Sequence, residues 1–121
     1  MEKKKSNKPF FSVITVVKND ESNIEKTIKS ILSQKFKNFE YILIDGNSND
    51  NTLQKIKKYQ KKVSKILSQK DKGVYFAMNK GIKLAKGEVL IFVNSGDLLT
   101  KNALKIIYNK FNKNKELDFV F

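Results

Sequence analysis

Short apolar runs alternate with segments of helical periodicity along this sequence, and no other feature constrains the fold as much. Between and after the apolar runs, apolar residues recur every three or four positions, which predicts four helices. A strand–helix alternation of this kind favours a mainly parallel sheet with helices on both faces, a three-layer α/β fold. The predicted strands are Phe10–Val17, Phe39–Ile44, Lys65–Ser68 and Glu88–Val93.

The helix positions follow from apolar spacing and from residues that favour helix ends. Asp20 is the predicted N-cap of the first helix and Asn49 or Asp50 that of the second, because short polar side chains accept the free N–H groups there. Gly87 suits the position just beyond the third helix. The apolar stripes fall in the ranges Ile24–Leu32, Leu53–Val63, Val74–Ala85 and Ala103–Phe111.

The length of 121 residues fits one domain. We expect residues 1–9 to form a charged N-terminal tail and residues 10–121 to form a single domain. Leu117–Phe121 begins a fifth strand at the end of the sequence, so we expect the domain to be truncated there. An open sheet edge would favour pairing with a second copy of the chain.

The lack of two residue types excludes much chemistry. The chain has no cysteine and no histidine, so thiolate zinc sites, cysteine nucleophiles and Ser–His–Asp catalysis are excluded. Any metal must be held by oxygen ligands, which leaves magnesium, manganese or calcium. The glycines form neither G-x-G-x-x-G nor G-x-x-x-x-G-K-[ST], so the fingerprints of dinucleotide-binding oxidoreductases and P-loop enzymes are missing.

The positive charge comes from lysine alone. The 25 basic residues contain no arginine and outnumber 12 acidic residues, which gives a net charge of +13. A sequence-specific nucleic-acid reader without arginine would be unusual, since arginine makes the bidentate contacts to guanine and phosphate. An AT-rich coding bias with solvation explains the charge, or else attraction to an anionic membrane surface or a phosphate-bearing substrate. No apolar run approaches the roughly 18 residues of a membrane span, so we expect a cytoplasmic protein.

Every predicted strand ends in a small polar cluster. The carboxyl ends of parallel strands share one edge of the sheet, where ligands bind. Helix caps and turns produce such clusters in any α/β protein, but Asp45 directly follows an apolar strand, ahead of the turn. These carboxylates and amides suit a divalent ion and a nucleotide. The clusters are Lys18–Glu21, Asp45–Asp50, Asp71–Gly73 and Asn94–Asp97.

Four sequence blocks around these clusters, in order and in spacing, resemble glycosyltransferase family two, the nucleotide-sugar-dependent transferases with the A-type fold. The resemblance implies the Rossmann-like nucleotide-binding half of that fold. The blocks are Ser12–Asn19, Thr27–Gln34 with Phe39–Thr52, Gln69–Ile82, and Gly87–Asp97.

The resemblance also implies roles for individual positions. Asn94–Asp97 stands where the family carries its Asp-x-Asp-type motif, so Asp97 would hold Mn²⁺ or Mg²⁺ on the donor diphosphate. Asp45 would lie beside the nucleotide base. Ordinary strand, turn and helix-cap roles are the alternatives for these positions. The residues implied to bind the nucleotide are Thr15, Lys18, Asp45, Asp71, Lys72 and Asn94.

The sequence departs from the family pattern at several positions. Gly46 stands where the family commonly has a second aspartate, and Asn94 and Gly96 stand where many members have carboxylates. Phe76 replaces an aspartate that similar members often carry. The family's general base would lie beyond Phe121, so we assign no catalytic residue. The changes at Asn94 and Gly96 favour weaker metal binding, and Gly46 removes a second carboxylate from recognition of the base. The changes at Gly96 and Phe76 favour a non-catalytic module.

The resemblance implies an inverting, metal-dependent glycosyltransferase, or its donor-binding fragment. The donor would be a nucleoside diphosphate sugar, and the acceptor a hydroxyl of a sugar or lipid-linked acceptor in bacterial polysaccharide or glycolipid synthesis. We expect the isolated chain to be inactive, to contact the inner face of an anionic membrane peripherally, and to form homo-oligomers through its open sheet edge. The alternative is a non-catalytic module that binds nucleotide or a protein partner, and a polyanion binder ranks last.

Overall fold

Strands and helices alternate strictly in the computed structural model, which describes residues 8–113. The predicted fifth strand, Leu117–Phe121, and most of the predicted tail lie outside the described residues. In chain order the elements are β1 (Phe11–Val17), α1 (Ile24–Leu32), β2 (Phe39–Asp45), α2 (Thr52–Lys57), β3 (Lys65–Ser68), α3 (Val74–Leu84), β4 (Val89–Phe92) and α4 (Ala103–Lys113).

The strands form one parallel sheet in the order β3-β2-β1-β4. Phe11 of β1 lies opposite Phe39 of β2 on one side and Val89 of β4 on the other. The chain steps from β1 to β2 to β3 in one direction and then crosses back past β1 to reach β4. Because such crossovers are right-handed, the reversed step carries α3 to the opposite face from α1 and α2. The strand order therefore reverses between β1 and β4.

Alternating side chains of the sheet build two hydrophobic cores. Val13 and Val17 of β1 pack on the face that α1, α2 and α4 cover, together with Ile28, Ile56 and Leu104. On the other face, Ile14 and Val16 of β1 pack with Ile42, Ile44 and Ala77, and α3 is the helix that covers them. The predicted three-layer arrangement with a parallel sheet is confirmed.

At two glycines, atoms of β1 lie so close that a side chain would not fit. A Cβ atom at Gly81 of α3 would lie 2.6 Å from Cγ2 of Ile14, so the glycine lets α3 sit directly on β1. A Cβ atom at Gly87 would lie 2.6 Å from the backbone carbonyl carbon of Phe11. The prediction that Gly87 stands just beyond α3 is wrong, because α3 ends at Leu84 and its C-cap is Ala85. Gly87 instead lies against β1, where a side chain would not fit.

The starts of the first two helices differ from prediction in detail. Helix α1 begins at Ile24, and the Asp20 carboxylate does not cap it; the backbone carbonyl of Asp20 accepts the Ile24 N–H instead. At α2 the N-cap residue is Asn51, so the prediction of Asn49 or Asp50 is wrong, although the Asp50 carboxylate accepts the N–H of Thr52, the first helical residue. Helix α2 ends at Lys57 and is followed by turns, so it is shorter than the predicted apolar stripe Leu53–Val63. Within residues 8–113, no helix has the length and apolar character that crossing a membrane requires.

Candidate functional site

The loops that follow β1 and β2 are hydrogen-bonded to each other at the carboxyl edge of the sheet. The Asn19 side chain accepts the Asn49 N–H at 2.7 Å, and the Asn19 N–H donates to Oγ of Ser48 at 2.8 Å. Asn19 and Asn47 both have positive φ, 51° and 63°, a conformation that asparagine tolerates better than most residues. The predicted polar clusters after β1 and β2 therefore form one connected rim.

Asp45 organises this rim from inside. Its side chain is fully buried and accepts hydrogen bonds from the N–H of Ser48, from Oγ of Ser48 and from Oγ of Ser68. These contacts bind the loop after β2 to the end of β3. Asp45 does not line either of the two cavities described below, and both oxygens of its carboxylate accept hydrogen bonds from the protein.

The cavity that we call the main cavity of the site has a volume of about 420 Å³ and lies above the carboxyl ends of β1 and β2. Oδ1 of Asp71 accepts the N–H of Gly73 at 3.0 Å, whereas Oδ2 of Asp71 is buried and has no hydrogen-bond partner among residues 8–113. A buried carboxylate oxygen without a partner is costly in a folded protein, which marks it as an acceptor available to a ligand. The cavity is lined by Val16, Val17, Lys18, Gly46, Asp71, Lys72, Gly73, Val74 and Ala77.

A smaller cavity of about 310 Å³ lies where the strand order reverses, between the ends of β1 and β4. In open α/β sheets, this is the place where ligands bind. Lys18 and Val74 line both cavities, so the two adjoin. The remaining lining residues are Val16, Val17, Asn19, Asp20, Asn94 and Ser95.

The segment after β4 presents the residues predicted to hold a metal. Asn94 and Asp97 are exposed, and the Asp97 N–H donates to the Asn94 carbonyl at 2.9 Å in a tight turn. Gly96 within this turn has a φ of +99°, which favours glycine and explains why no carboxylate occupies that position. Among residues 8–113, no three acidic side chains are grouped as a metal site.

Thr15 lies on the other side of β1, away from both cavities. It is fully buried, and its hydroxyl is 2.8 Å from the hydroxyl of Tyr41. Burial raises the pKa of Tyr41 far above its ordinary value, so the phenol stays protonated. Its strand neighbours Val16 and Val17 line the cavities instead.

The structure therefore brings together part of the predicted site. Lys18, Asp71 and Lys72 meet in the main cavity, and Asn94 joins Lys18 in the smaller one. Sequence reasoning did not single out Asp20 or Val74 as site residues. Asp20 belongs to the polar cluster after β1, and its position in that cluster is the sequence feature that indicates a role in the site.

Comparison with known proteins identifies the class to which this fold and site belong. The sequence profile of the family described as Glycosyl transferase family 2 matches residues 12–121. The chain belongs to this family, and its sheet is the parallel sheet of the A-type glycosyltransferase fold.

Individual relatives share this part of their sequence with the chain. The chain is 38% identical over 114 residues to the poly(ribitol-phosphate) beta-N-acetylglucosaminyltransferase TarP of Staphylococcus aureus, covering 90% of the chain and 35% of TarP. It is 36% identical over 101 residues to a cholesterol galactosyltransferase of Borreliella burgdorferi, covering 82% of the chain and 28% of that protein.

The structure also matches a solved relative. The crystal structure of S. aureus TarS residues 1–349 in complex with UDP-GlcNAc superposes with a TM-score of 0.81 at 31% identity, covering 87% of the chain and 32% of that structure. The chain thus spans about a third of the length of the relatives that it matches.

Proposed function

We propose that this chain forms the donor-binding part of an inverting glycosyltransferase that uses a nucleoside diphosphate sugar. The observation that carries the proposal is the main cavity, in which Oδ2 of Asp71 is buried without a partner among the described residues. The UDP-GlcNAc bound by TarS supports a uridine nucleotide as the first candidate ligand.

Asp71 and the two lysines divide the recognition of the nucleotide. The free Oδ2 atom accepts a hydrogen bond from an N–H of the base or an O–H of the ribose. Lys18 and Lys72 place positive charge beside the cavity, which suits the diphosphate. Lys18 also borders the smaller cavity, so the diphosphate and sugar extend from the main cavity toward Asn94.

In this proposal, Thr15 and Asp45 support the nucleotide site without lining either cavity. Asp45 holds the loop that carries Gly46, a residue lining the main cavity. Thr15 ties β1 to Tyr41 of β2 beneath the same strand ends. Direct contact of either side chain with the nucleotide stays a prediction.

The residues of the segment after β4 fit a divalent ion that arrives with the nucleotide. Asp97 and Asn94 offer oxygen ligands only, as Mg²⁺ and Mn²⁺ prefer. Magnesium in nucleotide sites is commonly held by one or two carboxylates, the substrate phosphates and water, so a group of three acidic side chains is not required. When bound, the ion would neutralise the negative charge of the diphosphate leaving group.

The proposed reaction is a single displacement. The bond between the anomeric carbon and the diphosphate oxygen breaks as the acceptor oxygen bonds to that carbon from the opposite face. The diphosphate leaves with the electron pair, and the acceptor proton passes to a general base, a role to which we assign no residue of this chain. We propose that the 121-residue chain binds donor without transferring the sugar.

The biological setting proposed here is the synthesis of a bacterial surface polysaccharide or glycolipid. Relatives act on acceptors as different as poly(ribitol phosphate) and cholesterol, so the acceptor does not carry over to this chain. A cytoplasmic location, peripheral contact of the lysine-rich surface with an anionic membrane, and association through the sheet edges stay predictions.

One observation favours a second candidate, a nucleotide-binding module without transferase activity. Gly96 stands in the metal segment with a backbone conformation that disfavours a carboxylate side chain. A nucleotide affinity that depends on metal and is lost in Asp97→Ala would contradict this second candidate.

The role of Asp71 tests the proposed function. In Asp71→Ala, we expect UDP to bind about ten- to a hundredfold more weakly, since a hydrogen bond to a charged group contributes about 1.5–3 kcal/mol. Isothermal titration calorimetry in the presence of Mg²⁺ measures this change.

The matched control is Glu88→Ala, which removes one negative charge at an exposed position beside the opposite end of the sheet. We expect it to bind UDP like the parent chain. If the parent chain does not bind UDP or any other nucleoside diphosphate, the proposed function is wrong. If Asp71→Ala binds as tightly as the parent, the assignment of Asp71 is wrong.

A further inference from the structure

Helix α1 and the residue just past its C-cap carry three polar side chains that hold the segment after β4, which we call the 96–104 segment. Thr27, Ser30 and Gln34 follow one another at spacings of three and four residues, which places them along one face of the helix and its end. Thr27 and Gln34 are fully buried. Polar residues at such positions need hydrogen-bond partners, and the 96–104 segment provides them.

Thr27 holds the turn that contains the predicted metal ligand. Its Oγ1 accepts the N–H of Gly96 at 2.9 Å and donates its proton to the carbonyl of Asp97 at 2.9 Å. One hydroxyl thus fixes the backbone on both sides of the peptide bond between Gly96 and Asp97. Glycine has more accessible backbone conformations than other residues, so the Thr27 hydrogen bonds select one of several conformations open to Gly96.

The other two side chains extend the same contact. Oγ of Ser30 accepts the Leu99 N–H at 3.2 Å. The Gln34 amide donates to the Thr100 carbonyl at 2.6 Å and accepts the Leu104 N–H at 3.1 Å. The 96–104 segment is therefore held along its length by hydrogen bonds to α1 and to Gln34, just past the end of that helix.

We propose that Thr27 is a positioning residue of the donor site, which holds the Asp97 backbone in the geometry needed to bind a metal–diphosphate. This inference rests on the proposed function. Asp97 has an exposed side chain on a short turn, and a ligand group on a mobile turn would have to be ordered when the ligand binds. A turn already held by a buried hydroxyl avoids that entropic cost, and binding is correspondingly tighter.

The test compares the Mg²⁺ dependence of UDP affinity in Thr27→Val and Thr27→Ser. Calorimetry gives the ratio of UDP affinity in Mg²⁺ to that in EDTA for each chain. Valine keeps the shape of threonine without the hydroxyl, so we expect this ratio to fall roughly tenfold. Serine keeps the hydroxyl, so we expect Thr27→Ser to retain the ratio of the parent chain.

The control is Ser12→Ala, which removes an equivalent hydrogen bond far from the site. Ser12 is fully buried near the other end of β1, and its Oγ accepts the Gly87 N–H at 2.7 Å. A purely structural role lowers the melting temperature and leaves the affinity ratio unchanged, and we expect that result for Ser12→Ala. If Thr27→Val does not fold, Ser30→Ala removes the neighbouring hydrogen bond to Leu99, which holds the same 96–104 segment at a partly buried position, and we expect a smaller fall in the ratio.

The outcomes separate this inference from the proposed function. If the parent chain binds UDP with a Mg²⁺-dependent affinity and Thr27→Val, or Ser30→Ala in its place, keeps the parent ratio, the positioning role is wrong and the proposed function stands. If the parent affinity does not depend on Mg²⁺, the positioning role is also wrong. If the parent binds no nucleoside diphosphate, the proposed function fails and the positioning role fails with it.

Discussion

At the scale of single residues, Gly46 determines the space available to the Asp71 carboxylate. A Cβ atom at Gly46 would lie 3.3 Å from Oδ2 of Asp71, closer than side chains normally approach. The resemblance noted above places an aspartate of the family at this position. Glycine here removes that carboxylate and leaves space beside the carboxylate of Asp71. The unpartnered oxygen of Asp71 and the small residue next to it together shape the main cavity.

Gly46→Ala should weaken UDP binding several-fold while leaving the fold intact. The added methyl group displaces the Asp71 side chain, and φ at Gly46 is not positive, so alanine adopts the backbone conformation there. We expect the free energy of unfolding to change by less than about 1 kcal/mol, because lower entropy of the unfolded chain offsets the crowding. Calorimetry and chemical denaturation measure the two quantities. Unchanged UDP affinity would show that Asp71 does not contact the nucleotide.

Asp50 makes stability depend on pH at the start of α2. Hydrogen bonds from the Thr52 side chain and backbone lower the pKa of Asp50 below its usual 3.8. The ionised carboxylate therefore contributes stability that is fully present above pH 3.8 and is lost as pH falls through the lowered value. In denaturation experiments between about pH 5 and pH 2, Asp50→Asn should lose less stability than the parent chain. Parallel pH profiles for the two chains would contradict this assignment.

At the scale of the elements, the contact of α3 with β1 fixes one wall of the main cavity. Gly81→Ala places a methyl group 2.6 Å from Cγ2 of Ile14, and we expect it to destabilise the fold by about 1–3 kcal/mol despite the better helix propensity of alanine. Asn79→Ala, at an exposed position of the same helix, is the control and should be neutral or slightly stabilising. Equal stability of the two variants in denaturant would contradict the close packing of α3.

The pattern of elements could be predicted from the sequence because it depends on local periodicity. Strand β3 has the predicted bounds, and α1 covers its predicted apolar stripe. Contacts between distant residues could not be predicted in this way. Asp20 was expected to cap α1, but its carboxylate accepts the hydroxyl of Ser95, 75 positions away.

The sequence predicts which strand ends form the candidate site, but it does not predict which way each side chain points. Lys18, Asp71 and Asn94 line the cavities because the loops after parallel strands share one edge. Thr15 belongs to the same strand as Val16, but alternation along a strand sends its hydroxyl to the opposite face. Val17 lies on the same face as Thr15 but lines both cavities, because it is the last residue of β1 at the carboxyl edge of the sheet.

At the scale of the whole molecule, one edge of a parallel sheet carries the features of the proposed donor site. The loops after β1 and β2 are bonded to each other, Asp20 bonds to Ser95 in the loop after β4, and two adjoining cavities lie among them. The net charge of +13 gives the molecule a general attraction for anions. A specific site differs from this attraction by discriminating among bases and by depending on a divalent metal.

The most direct test of the central claim is a thermal-shift and titration series with UDP, GDP, CDP and ADP, each with and without Mn²⁺. We predict a Mn²⁺-dependent stabilisation by one of the four, of about 2.7 kcal/mol when the free ligand is a hundredfold above its Kd. Equal, salt-sensitive shifts with all four, independent of metal, would indicate a polyanion binder. The absence of a shift with any of them would contradict the claim that this chain binds a nucleoside diphosphate sugar.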